Sequence, residues 1–317
     1  MGEVEMEEKK GLGGNGRKVW PIGSGKGGVG KSFITANLGL ALAESVCEGE
    51  KRVLLFDADL GGGNLHTCFG MKNPPLTLQD FLSKKKERLS QIMLETPLPN
   101  LKLIGGTSGV LSVANPRYRE KIRLLRHFKD LEAEYILLDL SAGSSYNTID
   151  FLSLSSEAIV VTTPEPAALL ASYGFIRNAL YRKLMRFLRK QPLILPLIVD
   201  AMNRNGRWKI GICGQLIEAV GRIDQDVAWQ ILDLVVNFKV YLILNMVGNR
   251  RDIVVGEKFR LVTKKYLHCG FCYLGHVVWD ERVRKAACRM SPLVFEYPNS
   301  KASRCIYLIA QKLLNEI

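Results

Sequence analysis

The sequence predicts an α/β protein, a mainly parallel, twisted sheet flanked by helices. Three observations lead there. Short runs rich in Val, Ile and Leu recur along the chain and read as buried strands. Segments with helical spacing follow most of them, the alternation that makes a parallel sheet. Several runs end in Gly or Asp, at the carboxyl ends where open parallel sheets bind their ligands.

The first strand, over 18–22, leads into Gly25-Lys26-Gly27-Gly28-Val29-Gly30-Lys31-Ser32, and a helical run follows from Phe33 to Ala43. The octapeptide fits the phosphate-cradling pattern G-x-x-x-x-G-K-[ST] at every fixed position. Glycines let successive backbone N–H groups turn inward onto phosphate oxygens, and the following helix adds positive charge at the same point. Lys31 would reach the β- and γ-phosphates, and the Ser32 hydroxyl would ligate Mg²⁺. Gly23, Gly25 and Gly28 also fit the dinucleotide fingerprint G-x-G-x-x-G. That pattern expects an acid about 20 positions on and leaves Gly30-Lys31-Ser32 without a reason.

A second strand, 53–57, ends in Asp57-Ala58-Asp59; a third covers 101–104; a fourth, 135–139, ends in Asp139. Asp57 and Asp139 then share the crevice of the phosphate loop, where one carboxylate can hold Mg²⁺ or its waters and another can orient the attacking water. Further strands are expected at 158–162, 240–244 and 273–278. After Pro164 and Pro166 a long helix is expected from Ala167 to Leu188. Ile217, Val220, Ile223 and Val227 have helical spacing. The stretch from about 178 to 238 therefore reads as a helical insertion on the same domain. Residues 1–17, acidic and then glycine-rich, read as a disordered tail without the apolar core of a signal peptide. The expectation is one domain over 18–317.

Residues Lys26 to Ser32 resemble the deviant phosphate loop of the MinD/ParA ATPases, a SIMIBI-type branch of the P-loop NTPases. In that family the extra lysine, here Lys26, crosses an ATP-bound dimer interface. Asp57-Ala58-Asp59-Leu60-Gly61 with Asn64 resembles the first switch. Asp139-Leu140-Ser141-Ala142-Gly143 resembles the second, in which the family more often has Pro than Ser at 141. Thr162 to Pro166, including Pro164 and Glu165, and Asn245-Met246-Val247 resemble the segments that border the adenine. Tyr273 to Val277, Asp280 to Ala286, Pro292 and Tyr297 to Ser300 resemble the FlhG/FleN branch, which controls the number and placement of flagella.

The resemblance implies ATP and Mg²⁺ as cofactors. Residues Gly25 to Phe33 with Pro164, Glu165 and Asn245 would hold the nucleotide. Ser32, with Asp57 and Asp139 through waters, would hold Mg²⁺. Lys26, Lys31 and Asp59 would act in hydrolysis, Asp59 by positioning water. The implied partners are a second copy of the chain in an ATP-dependent homodimer and an unidentified regulatory protein of flagellar type. The short Asp-Gln-Ala motif by which FlhG proteins engage their GTPase partner does not occur near the N-terminus.

Composition is that of an ordinary globular protein long enough for a large core. No unbroken apolar stretch reaches the roughly 18 residues of a membrane span, so a cytoplasmic protein is expected, peripheral at most to the inner face of the membrane. The formal charge of +13 gathers at Lys84–Lys86, Arg117 to Arg126, Arg182 to Lys190 and Lys258 to Lys265. These read first as solvated helix faces, with anionic membrane or nonspecific DNA as functional alternatives. A ParA-like DNA-segregation ATPase is therefore one rival reading. An Mrp-type iron–sulfur carrier is the other, on Cys269-Gly270-Phe271-Cys272. Cysteines three apart at a strand point to opposite faces, which favours a structural pair. The segment Lys301 to Glu316 is amphipathic, with Ala302, Cys305, Ile306, Ile309 and Leu313 on one face, and reads as a core helix rather than a membrane anchor.

Overall fold

The computed structural model describes residues 17–46, 52–106, 118–128, 130–152, 155–202 and 212–316. The tail expected over 1–17 lies outside these except for Arg17, whose guanidinium donates to the carbonyls of Phe128, Leu131 and Ala133. Arg117 and residues 203–211 also lie outside them.

Eight strands among the described residues form one sheet: β1 (Lys18–Gly23), β2 (Val53–Ala58), β3 (Leu94–Glu95), β4 (Leu101–Ile104), β5 (Tyr135–Leu140), β6 (Glu157–Thr162), β7 (Lys239–Val247) and β8 (Gly270–Val278). Their order is β3-β4-β2-β5-β1-β6-β7-β8. All neighbours are parallel except the β3–β4 pair at one edge. The central strands are buried along nearly their whole length, as strands covered on both faces must be. All seven expected strands are present. The two-residue β3 was not expected, because two residues carry no periodicity.

The helices divide between the two faces. One core layer is built from α1 (Lys31–Ser45), α11 (Leu293–Glu296) and α12 (Lys301–Asn315), through Ile34, Leu38, Leu293 and Ile306. The other takes Leu124 of α3 (Tyr118–Phe128), Ile149 of α4 (Tyr146–Leu152), Phe175 of α5 (Pro166–Phe187), Val227 of α8 (Gln225–Val236) and Phe259 of α9 (Arg250–Leu267). The remaining helices are α2 (Leu78–Leu82), α6 (Leu195–Met202), α7 (Ile212–Gly221) and α10 (Glu281–Cys288).

Two readings of the 178–238 stretch change. Ile217, Val220, Ile223 and Val227 do not share one helix. Helix α7 ends at Gly221 and α8 begins at Gln225, with the Asp224 side chain accepting from Val227 N, so Ile223 falls in the exposed turn. The basic run from Arg182 is also not a wholly solvated face. Arg182 and Arg186 both pair with Asp150. Lys183 is half-buried and donates to the Ser155 carbonyl, and burial, followed by nearby Arg186, lowers its amine to about 8.

Helix α12 is a core helix. Ser300 caps it, and Ala302, Ile306, Ile309, Ala310 and Leu313 are buried against β8 and α1. Cys269 and Cys272 lie in the core layers on opposite faces of the sheet. Burial pushes the Cys269 thiol up to about 12, and Cys272 faces the Glu316 carboxylate. No cluster of three or more His, Cys, Asp or Glu fit for a metal ion occurs among the described residues. The pair does not offer two thiolates to one cluster.

Candidate nucleotide site

The site lies at the carboxyl end of β1, between β5 and β6. Gly25 packs so tightly on the backbone of α5 at Ala171 that any Cβ would collide with it. Gly28 and Gly30 take left-handed backbone angles, φ 81° and 83°, which L side chains rarely adopt. A loop alternating in this way turns successive N–H groups toward one concavity, a built anion site. Helix α1 starts at Lys31 without a side-chain hydrogen bond capping its first turn. Donors of that first turn suit a phosphate oxygen. The Asn245 amide at the end of β7 donates to the Val29 carbonyl (2.9 Å) and so braces the loop from the far side. Lys26, Gly27 and Gly28 are exposed, and Ser32 and Phe33 are half-buried at the helix start.

Beneath the loop, the Lys31 amine lies 2.6 Å from Asp139 Oδ1, and both side chains are buried. Thr35, one turn along α1, donates to the same oxygen (3.1 Å). Asp57 stands beside Asp139 in the β2–β5 register. Its two oxygens accept from the backbone N–H groups of Asp59 and Leu65, and glycines 63 and 106 close over it, with no room for a Cβ at either. Burial first, and the charge of Asp139 second, push the Asp57 carboxyl up to about 7. Two buried carboxyls side by side, one of them pushed toward its neutral form, suit a divalent cation, which would favour the ionised form. The residues present therefore fit both a nucleotide phosphate tail and Mg²⁺.

The two segments that resemble the family's switches meet at the mouth. Asp59 Oδ1 accepts from Ser141 Oγ (2.8 Å) and from Gly61 N (3.1 Å). Gly143 N donates to the Ser24 carbonyl at the root of the phosphate loop (2.9 Å). Pro164 and Glu165 follow β6, which pairs with the end of β1; the Glu165 carboxylate accepts from Thr163 and Pro166 opens α5. The structure thus brings the loop, Asp57, Asp139 and Asn245 into one site. Asn245 meets the loop backbone.

Sequence reasoning missed Thr35 and Cys68. The signal for Thr35 was its i+4 spacing from Lys31 on one helix face. Cys68 sits in a 3₁₀ turn after the first switch, and burial followed by the charges of Asp139 and Asp57 pushes its thiol up to about 11. No spacing in the sequence marks that approach.

Comparison with known proteins agrees with this geometry. The matching family model is ParA, described as a NUBPL iron-transfer P-loop NTPase, over residues 15–177. That match takes in more than half of the chain. The chain belongs to the ParA/MinD family of P-loop NTPases.

Among curated members, antiactivator FleN of Pseudomonas aeruginosa is 25% identical over 299 residues, covering 93% of this chain and 86% of FleN. Flagellum site-determining protein YlxH of Helicobacter pylori is 38% identical over 165 residues, covering 50% of this chain and 53% of YlxH. The likeness to the FlhG/FleN branch read from the C-terminal motifs is thus present in sequence. In structure, the septum site-determining protein MinD of Pyrococcus horikoshii, complexed with Mg-ADP, matches with a TM-score of 0.60 at 21% identity, over 94% of this chain and 96% of that one. That likeness shows the fold: a mainly parallel sheet flanked by helices, of MinD/ParA type.

Proposed function

We propose that this member of the family is an ATPase switch, dimeric with ATP, that controls the number or placement of flagella or a similar polar structure. The observation that carries the reading is the uncapped start of α1 set above the buried Lys31–Asp139 pair, with the buried Asp57 carboxyl beside it. Such a site can order its two switches around a γ-phosphate and release them on hydrolysis.

In this reading Gly25 to Phe33 hold the phosphates of ATP. Lys31 trades its contact with Asp139 for the β- and γ-phosphate oxygens. Ser32 would hold Mg²⁺, with Asp57 and Asp139 acting through its waters, and the ion would supply positive charge beside the transferred phosphoryl group. Asp59 orients the attacking water, and Lys26, exposed at the loop tip, reaches the phosphates of the second subunit. Pro164, Glu165 and Asn245 border the base, and the Asn245 amide also braces the loop at the Val29 carbonyl. Residues 18–317 act as one domain, with 178–238 as its helical insertion.

The flagellar assignment is supported by YlxH, named a flagellum site-determining protein, and by the likeness to FleN, a member of the branch that the C-terminal motifs resemble; the regulatory partner in this reading is a flagellar protein. A cytoplasmic location suits this role, and no helix among the described residues is long and apolar enough to cross a membrane. A second reading, DNA segregation, is favoured by the +13 charge and by exposed Lys84 and Lys85. Salt-dependent DNA binding that needs ATP would support it. The dimer is tested by light scattering with ADP and with ATP. Wild type should be monomeric with ADP and dimeric with ATP, while Lys26→Ala should bind ATP and stay monomeric. A Lys26→Ala protein that dimerises like wild type would contradict this role for Lys26.

A further inference from the structure

We propose that Ser141 is a positioning residue for hydrolysis: its hydroxyl fixes the Asp59 carboxylate beside the phosphate loop. The inference rests on the reading of Asp59 as the residue that orients water, and it adds the device that holds it.

The placement follows from the sheet. Strands β2 and β5 run parallel with Asp57 opposite Asp139 and Ala58 opposite Leu140. The next residues, Asp59 and Ser141, therefore leave neighbouring strand ends side by side. Ser141 Oγ donates to Asp59 Oδ1 at 2.8 Å, and Gly61 N donates to the same oxygen at 3.1 Å. Two donors on one oxygen, one from each switch, fix the rotation of the carboxylate. Ser141 itself is not free to drift. Two residues on, Gly143 N is bonded to the Ser24 carbonyl, and Ala142 packs 3.9 Å from where a Gly27 Cβ would stand. The chain of contacts runs from the phosphate loop through the second switch to the carboxylate of the first.

Both Asp59 and Ser141 are half-buried, so their bond is partly shielded from competing water. A carboxylate that orients water must be held in place, since a displacement of an ångström can cost far more than the bond itself contributes. The hydroxyl of Ser141 supplies this donor. A proline there, as the resembling family more often has, could not. This chain has moved part of the placement of Asp59 onto a side chain.

The test measures kcat and KM for ATP hydrolysis in wild type, Ser141→Ala, Ser141→Thr, Asp59→Ala and the double variant Asp59→Ala/Ser141→Ala. The expected result is a fall of about fivefold in kcat for Ser141→Ala at unchanged KM. Ser141→Thr, which keeps the hydroxyl, should stay near wild type. In the Asp59→Ala background the serine substitution should change nothing further. Ser141→Ala at wild-type kcat, with Asp59→Ala inactive, would overturn the proposal and leave the role of Asp59 standing. A Ser141→Thr protein as slow as Ser141→Ala, or an additive loss in the double variant, would also overturn it. Wild-type hydrolysis by Asp59→Ala would overturn both readings.

Discussion

Lys31 Nζ and Asp139 Oδ1 lie 2.6 Å apart, with 9% and 2% of their side chains exposed. The pair joins the phosphate loop to the end of β5 by one buried ionic contact. Each charge compensates the other where water cannot. Removing one alone leaves a buried ion without its counter-charge.

That asymmetry is measurable without ATP. Lys31→Ala should destabilise the nucleotide-free protein by about 3–5 kcal/mol, the usual penalty for breaking a buried pair. The double variant Lys31→Ala/Asp139→Ala should recover much of that loss. Urea unfolding of wild type, both single variants and the double variant forms the required cycle. Additive losses would show that the contact carries no coupling.

Asp57 gives the pH dependence. Its carboxyl is raised from 3.8 to about 7 in the fold. The native state therefore holds this proton more tightly than the unfolded chain, and the contribution to stability, fully present below about 3.8, is lost progressively as pH rises through about 7. Melting of the nucleotide-free protein should show wild type losing stability relative to Asp57→Asn between pH 5 and pH 8 (roughly two units below and one above the raised value). Parallel melting curves across that range would contradict the raised carboxyl.

Helix α12 makes a packing prediction. Ile306 is 1% exposed and sits in the layer shared with α1 and β8. Ile306→Ala should cost about 2–5 kcal/mol. A membrane-anchoring helix would instead tolerate the change in stability and lose sedimentation with anionic liposomes. Denaturant unfolding and liposome sedimentation of the same variant separate the two.

Much of this was readable in the sequence, for definite reasons. The seven expected strands were legible because their runs are mostly apolar, and the phosphate loop because its glycines are needed at fixed spacing. Asp57 and Asp139 were legible because they end such strands. What escaped the sequence were contacts between distant segments. The Lys31–Asp139 pair spans 108 residues and the Ser141–Asp59 bond 82, and no local pattern encodes either. The α7–α8 turn was missed because Ile223 keeps a helical spacing while the Asp224 cap breaks the helix. The burial of Lys183 depended on Ser155 and Phe238, which reach it only once the sheet has formed.

Steady-state ATP hydrolysis, read beside equilibrium ATP binding, tests the central claim most directly. Wild type should hydrolyse ATP slowly and only with Mg²⁺. Asp59→Ala should bind ATP as tightly as wild type yet hydrolyse it at least about tenfold more slowly, a barrier higher by roughly 1.4 kcal/mol or more. Lys31→Ala should lose the binding itself. Hydrolysis by Asp59→Ala at the wild-type rate, or tight ATP binding by Lys31→Ala, would contradict the account of this site.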